Sequence, residues 1–403
     1  MAYLPLANLM HYKLRSALSA AGIGIGVCML LTLSGLSRGT LNEIADRWEA
    51  VDADLILCPR GWGENLAAVF GVGVADRQAA KVKAEHADLV QDAVPAFLWQ
   101  VRLAGQEHTA VGVDPDQWST LAGERALSQG RIFDPNGDFA RWIVQRVLGA
   151  EEGDDSNTPL RITPEDLRAH GGLELVIDER LAKKGRFRLN DEVETANHTW
   201  RIVGIVPAGG MARLYMPRRT AQFLFGSGIL TRSTLVFVKL RAGTDTLEAA
   251  RRIGGASIEA VPLRQYRDML QRKFGSVYLY VYAVNTVAMV IAFLFILVTL
   301  YSMVLQRTRQ IAVLKSLGAT RGGVLRGVLT ESLLLTAAGT AAGVPVSLLV
   351  GWLIQTFTLS TVTITWAWVG IALATAAVGA LAAGLYPAWR AIRVDVVEAL
   401  TLE

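Results

Sequence analysis

Cysteine and histidine are scarce in this chain, with two and five among 403 residues. Two cysteines set no disulfide framework, and Cys28 and Cys58 fall in segments of different character, poorly placed to pair. The histidines His86, His108, His170 and His198 are scattered without the paired spacing of metal ligands, so each reads as a surface or packing residue. No G-x-x-x-x-G-K-[ST] phosphate loop occurs, and H-E-x-x-H and G-x-S-x-G are missing too, so the sequence offers no familiar catalytic centre. Charge is also sparse, at 19%. The net +4 comes partly from tracts flanking apolar runs, which accounts for the basic bias without nucleic acid.

What the chain has in excess is apolar surface: 52% of its residues are hydrophobic, and its mean hydropathy of +0.33 exceeds that of ordinary soluble domains. About 20 apolar residues suffice to cross a bilayer as a helix, because peptide groups must there bond within their own segment. Four segments qualify. The first is Ser16–Ser37, and the second lies within Phe274–Gln306. The other two share the uncharged run Ser332–Trp389, divided by "TFTLSTVTIT" (Thr356–Thr365), with Trp366 and Trp368 as interfacial anchors.

Basic residues set the orientation. His11, Lys13 and Arg15 precede the first span, five bases lie between Arg307 and Gly327, and Arg390 and Arg393 follow the fourth. We therefore expect a four-span protein of the cell (inner) membrane with both termini cytoplasmic. The expected order begins with a cytoplasmic helix and first span (1–37), an extracytoplasmic domain (38–273), and a second span with stalk (274–306). It continues with a cytoplasmic segment (307–327), the third span (328–356), an external turn (357–365), the fourth span (366–389) and a cytoplasmic end (390–403). Ser16–Ser37 reads as an uncleaved anchor; a cleaved signal peptide normally has a shorter apolar region.

The large external segment reads as mixed α and β. Strands are expected in "ADLILCPRG" (Ala53–Gly61), on both sides of the turn in "LAGQEH", in "ELVID", on both sides of "NH", and in "STLVFVKL". Helical composition marks Asp76–Gln91 and "DTLEAARRIG". Phe139–Gly172 reads as an inserted helical arm, a solvated surface excursion around the acidic "EEGDD", which lacks a calcium-loop pattern. "GIGIG" (Gly22–Gly26) resembles a piece of a dinucleotide fingerprint, but inside a span small residues serve close helix contact.

The basic segment "RQIAVLKSLGA" places Ile311, Leu314 and Leu317 at helical spacing with Arg309, Lys315 and Ser316 around the turn. It reads either as an amphipathic lever that takes force from a cytoplasmic partner or as a plain basic loop. Beyond it Glu331 is expected near the interface, since central burial would cost about 3 kcal/mol.

"RTRQIAVLKSLGAT", "ESLLLTAAGTAAGVPVSLLVG" and "AGLYPAWRAIRVDVVEAL" together resemble the C-terminal signature of FtsX-like ABC transporter permeases of the MacB and LolC/LolE type. "LANLMHYKLRSALSAAGIGIGV" resembles their N-terminal segment, and "LSQGRIF", "VIDERLAKKGRFRLNDEVE" and "WRIVGIVPAGG" are similar to their periplasmic core. The resemblance implies a MacB-like periplasmic domain between the first and second helices, in two lobes with the second at about 131–231. It also implies a second permease copy or paralogue, and a separate ABC ATPase subunit that carries ATP and Mg while this chain carries no cofactor and is no enzyme.

The ATPase-coupling element would then hold Arg309, Gln310, Ile311, Leu314, Lys315, Leu317, Gly318 and Ala319. The family commonly has Glu-Ile-Gly where this chain has Gln310, Ile311 and Ala312, which favours coupling through the apolar face over a salt bridge. Implied functions are export or extraction of a lipidic, peptidic or drug-like substrate, or FtsX-type activation of an external enzyme such as a wall hydrolase. A periplasmic adaptor or substrate protein and membrane lipid complete the expected partners, with no nucleic acid.

Overall fold

The computed structural model describes residues 13–63, 70–119, 127–148, 162–306, 313 and 320–392. The chain divides into two compact units, Met1–Thr40 with Gly275–Glu403, and Leu41–Phe274.

Among the described residues, four helices supply segments long and apolar enough to cross a membrane: α1 (Lys13–Glu49), and three helices of the C-terminal part that follow the external domain. Helix α1 continues well past Ser37, where the sequence suggested a boundary. The onset of charge at Arg38 marks the end of the apolar stretch and not of the helix. From Leu41 to Glu49 nothing breaks the backbone pattern, and Ala45 and Trp48 recur on one buried face.

The second unit is built on one ten-stranded sheet. Its strands are β1 (Leu55–Pro59), β3 (Val90–Leu103), β4 (Gln106–Val113), β5 (Gln129–Gly130), β6 (Glu174–Asp178), β7 (Glu192–Thr195), β8 (His198–Val206), β9 (Leu214–Pro217), β11 (Leu235–Leu240) and β12 (Ile258–Pro262). The order is β12-β1-β11-β3-β4-β9-β6-β8-β5, with β7 on β8, and β2 (Val74–Ala75) pairs separately with β10 (Arg232–Ser233).

The long strand β3 joins the two ends of the sheet. Val90 to Ala96 pair with β11, and Phe97 to Leu103 pair with β4. The change of partner follows Pro95, which has no N–H to give to a ladder. Ala104 and Gly105 make the β3–β4 hairpin with φ of 51° and 75°, and Ala196 and Asn197 make the β7–β8 hairpin with 52° and 63°. Positive φ at both central residues is the turn geometry that follows the strand twist.

Helices α2 (Arg77–Glu85), α5 (Glu179–Gly185), α6 (Arg218–Phe225), α7 (Thr246–Ile253) and α8 (Tyr266–Lys273) accompany the strands. The arm that the sequence suggested as a solvated excursion is anchored in the core. It holds α3 (Asp138–Leu148) and α4 (Pro164–Ala169), whose Phe139, Ile143 and Leu167 are buried. Asp134 starts α3 by accepting from the amides of Phe139 (2.9 Å) and Ala140 (3.0 Å). At its far end the Phe139 ring packs on Gly172, so apolar burial decides the path of the arm. The acidic run at 151–155 lies outside the described residues.

In the first unit, α9 (Gly275–Gln306), α10 (Arg321–Phe357) and α11 (Trp366–Ile392) pack with α1 around Ile23, Val27, Leu31, Ile296, Leu335, Ala372, Ala380 and Ala383. Helix α9 begins at Gly275 itself; the break from α8 is at Phe274.

Gly24 of "GIGIG" serves a helix seam. A Cβ on Gly343 would stand 2.6 Å from the Gly24 carbonyl, and one on Gly339 2.7 Å from the Ala20 carbonyl. Spaced four apart on α10, Gly339 and Gly343 let the two backbones touch, the G-x-x-x-G device of membrane helices. Hydrogen bonds join other helix pairs: Asn285 Nδ2 on α9 donates to Ser34 Oγ on α1 (2.9 Å), and Ser332 Oγ on α10 donates to the Ala380 carbonyl on α11 (2.6 Å). Glu331 is buried, 7% exposed.

Candidate functional site

The eight residues read as the coupling element, Arg309, Gln310, Ile311, Leu314, Lys315, Leu317, Gly318 and Ala319, lie outside the described residues. What the structure does bring together is the root of the external domain, where the last turns of α1 meet α8 within the second unit.

One face of this root is aromatic and ionic. The Trp48 and Tyr266 rings stack at 4.6 Å, and both belong to the main core with Ala45, Val51, Leu263 and Leu270. Above them Arg267 reaches from α8 to α1. Its Nη2 donates to Asp46 Oδ1 (2.7 Å) and Glu49 Oε2 (2.8 Å), and its Nε donates to Glu49 Oε1 (2.9 Å). Asp46 and Glu49 are three residues apart, so both carboxylates stand on one side of the helix. Hydrogen bonds to Glu49 and Asp46 push the Arg267 pKa upward, holding the charge firmly.

Another face of the same helix carries a charge network that is largely buried, with Arg180 at its exposed edge. Glu43 Oε1 accepts from Arg213 Nη2 (2.8 Å), Arg47 Nη2 (2.9 Å) and Arg180 Nη1 (3.3 Å). Arg47 also donates to the Gly210 carbonyl (3.2 Å) and meets Asp178 Oδ2 at 3.5 Å. Asp178 is fully buried and caps α5 through the Leu181 amide at 2.7 Å. Burial and the neighbouring Arg47 press the Arg213 pKa down, against Glu43 and Asp178, which favour its charged form.

The network ties α1 to β6, α5 and the residues just before β9. Glu43 and Arg47 are a visible i,i+4 pair in the sequence, but their partners lie 131 to 170 residues away, and no local pattern signals them. Nearby, His108 is buried and its Nε2 is 3.1 Å from the Leu103 carbonyl; burial lowers its pKa, so the neutral ring donates there.

A third network lies between strands. Arg218, at the start of α6, donates to Asp114 (2.5 and 2.9 Å), Asp76 (2.5 Å) and Ser233 (3.2 Å). Burial opposes its charge, and the two carboxylates more than offset that, leaving its pKa raised. This is architecture that fastens α6 to the sheet. Among the described residues no group of three or more His, Cys, Asp or Glu side chains is arranged to hold a metal ion.

Comparison with known proteins places this architecture. The MacB-like periplasmic core domain matches residues 16–256, and the FtsX-like permease C-terminal region matches 282–396. The macrolide export ATP-binding/permease protein MacB of Nitrobacter winogradskyi is 24% identical over 404 residues, covering 96% of this chain and 58% of that protein. The pyoverdine export ATP-binding/permease protein PvdT of Pseudomonas entomophila is 26% identical over 407 residues, covering 97% of this chain and 58% of that protein. The chain thus spans well under two thirds of the length of these relatives.

Among solved structures, the periplasmic region of MacB from Actinobacillus actinomycetemcomitans aligns over 55% of this chain and 95% of its own, at 12% identity and a TM-score of 0.35. The extracellular domain of the transporter YknZ from Gram-positive bacteria aligns over 52% and 98%, at 15% identity and a TM-score of 0.33. With a MacB-like core domain matched over more than half its length, followed by an FtsX-like region, the chain belongs to the MacB/FtsX-like family of ABC transporter permeases.

Proposed function

We propose that this chain is a permease that turns ATP hydrolysis in an ABC ATPase subunit into motion of its external domain, and so exports or extracts a lipidic, peptidic or drug-like substrate. The relatives' names, macrolide and pyoverdine export ATP-binding/permease proteins, support the direction of transport. The observation that carries the mechanical reading is the clasp at the root. Trp48 on Tyr266, with Arg267 held by Asp46 and Glu49, joins the segment entering the external domain to the one leaving it. Two segments held together in this way move as one strut, and a strut passes displacement on where two loose tethers would absorb it.

Coupling to the ATPase is assigned to the segment from Arg309 to Ala319, with Ile311, Leu314 and Leu317 as its apolar face and Arg309, Gln310, Lys315, Gly318 and Ala319 around it. ATP and Mg would be held by the ATPase, and a second permease copy or paralogue would complete the pair. Purification in nanodiscs followed by mass spectrometry of the retained proteins tests this reading. An ATPase should be retained by the wild-type chain and lost with Leu314→Asp, which puts an unpaired charge on the contact face. Unchanged complex formation and ATP turnover with Leu314→Asp would overturn the coupling assignment.

A further inference from the structure

A half-buried arginine in the first unit stands at the head of an apolar groove, and among the described residues no acidic residue answers it. Arg38 Nη2 donates to the Tyr282 hydroxyl at 2.9 Å, and its guanidinium carbon lies 4.0 Å from the centre of the Trp368 ring. Among the described residues its partners are that phenol and that ring face, with no carboxylate in ion-pair range. Both contacts leave guanidinium N–H donors free, and an Arg fork is shaped for a planar carboxylate or a phosphate.

The groove begins one to two turns further along. Tyr282 on α9 is followed by Thr286, Met289, Val290 and Phe293; Trp368 on α11 is followed by Ala374, Thr375, Val378 and Gly379. These eight residues line a depression of about 430 Å³. Val290 and Val378 are exposed, at 50% and 68%, and a Cβ on Gly379 would meet nothing within 4 Å. The order is thus cation, aromatic ring and hydroxyl, then an open apolar channel between two membrane-spanning helices.

From this order we infer that the Arg38 end and the α9/α11 groove form a phospholipid site, with the phosphate on Arg38 and an acyl chain along Met289, Phe293 and Val378. The charge argument separates a lipid from a second copy of the chain. Between Lys13 and Thr40 and between Gly275 and Ile392 the sequence has one acid, Glu331, and it is buried; the further acids of α1, Glu43, Asp46 and Glu49, are already held by arginines, Glu43 by Arg47, Arg180 and Arg213, and Asp46 and Glu49 by Arg267. A second copy docked by its own helices would therefore bring no accessible anion to Arg38. A membrane supplies phosphate and chain on one molecule. The inference rests on the helices spanning a membrane and not on what the permease moves.

The full chain, stripped of lipid in detergent, should be titrated with palmitoyl-oleoyl phosphatidylglycerol and read by native mass spectrometry. One tightly held lipid is expected. Loss of a charge-assisted contact in Arg38→Gln should weaken it about tenfold or more, with Arg38→Lys intermediate. Gly379→Leu, at a position where a Cβ meets nothing within 4 Å, puts a side chain into the channel and should weaken it comparably, whereas Gly370→Leu, where a Cβ also meets nothing but which does not line the groove, should not. Equal retention by wild type, Arg38→Gln and Gly379→Leu would overturn the site. Binding of inorganic phosphate as tight as that of the lipid would reassign it to free phosphate. A spontaneous disulfide dimer of Val378→Cys that excludes lipid would give the groove to a second copy.

Discussion

The indole of Trp48 and the phenol of Tyr266 stack at 4.6 Å with 28° between their planes, linking two segments more than two hundred residues apart in sequence. Trp48 ends α1 and Tyr266 begins α8, so the stack fastens the two ends of the external domain at their common root. Its strength lies in burial: Trp48 is 8% exposed and Tyr266 1%.

Trp48→Ala should accordingly cost about 3 to 5 kcal/mol, the range for removing a large buried aromatic side chain, with Trp48→Phe costing less. Thermal unfolding of the full chain, followed by fluorescence in detergent, measures this. Tyr266→Phe should be tolerated within about 1 kcal/mol, because among the described residues the buried hydroxyl has no hydrogen-bond partner to lose. Destabilisation by Tyr266→Phe as large as by Trp48→Ala would show that the hydroxyl, and not the ring, holds the clasp.

The Glu43 network should respond by charge and not by size. Glu43→Gln leaves Arg47, Arg180 and Arg213 around a neutral amide, and breaking a buried pair on one side costs about 3 to 5 kcal/mol. Pairing Glu43→Gln with Arg213→Met removes one of the three arginine charges and should recover part of that loss. A double-mutant cycle on unfolding free energies decides it: additive losses would mean that the two side chains are not coupled.

Much of this fold is legible in the chain itself. The four apolar segments, the hairpins around Ala104–Gly105 and Ala196–Asn197, and the strands "LILCP" and "LVFVKL" follow from local composition and turn chemistry. The end of α1 was not, since charge begins at Arg38 while the backbone stays helical to Glu49. The arm at Phe139–Gly172 looked solvated because its acids dominate the composition, whereas Phe139 and Ile143 decide its packing. The clasp and the Glu43 network are pairings across 131 to 221 residues, and tertiary burial alone selects them. The candidate coupling residues between Arg309 and Ala319 lie outside the described residues, and it is the local spacing of Ile311, Leu314 and Leu317 that points to them.

The α1/α10 seam gives a prediction with its own control. Gly339→Leu or Gly343→Leu would drive a side chain into the Ala20 or Gly24 backbone, where no flexible neighbour can yield. Each should lower the yield of folded protein in detergent severalfold, by size-exclusion chromatography. Gly370→Leu, with open space around the site, should leave the yield unchanged. Equal tolerance of all three would mean that α1 and α10 do not pack through their glycines.

His108 sets a pH dependence. Burial lowers its pKa in the fold from the ordinary 6.5, so below about that pH the unfolded chain binds a proton that the folded chain resists. Its contribution is present above 6.5 and is lost as pH falls through the lowered folded value. Unfolding measured from pH 8 to pH 5 should therefore show stability falling on the acid side, with a shallower fall for His108→Gln. Parallel profiles for the two proteins would remove His108 as a cause.

The last prediction concerns stiffness between membrane and domain. Helix α9 holds 32 residues from Gly275 to Gln306, whereas about 20 suffice to cross the hydrocarbon core. The surplus is uninterrupted helix, which under the proposed function transmits displacement along the second lead of the domain. Inserting Gly-Ser after Tyr280 breaks that continuity. The position lies before Tyr282 and Asn285, so the contacts of those residues with Arg38 and Ser34 can persist on the membrane side. ATPase docking should then survive, because the cytoplasmic segment is untouched, while ATP turnover loses its link to external motion, since a flexible joint absorbs the displacement. Distances between spin labels on paired external domains, taken with and without a non-hydrolysable ATP analogue, provide the measurement. They should change in the wild type and stay fixed in the insertion variant; equal changes in both would show that α9 is not the transmitting element.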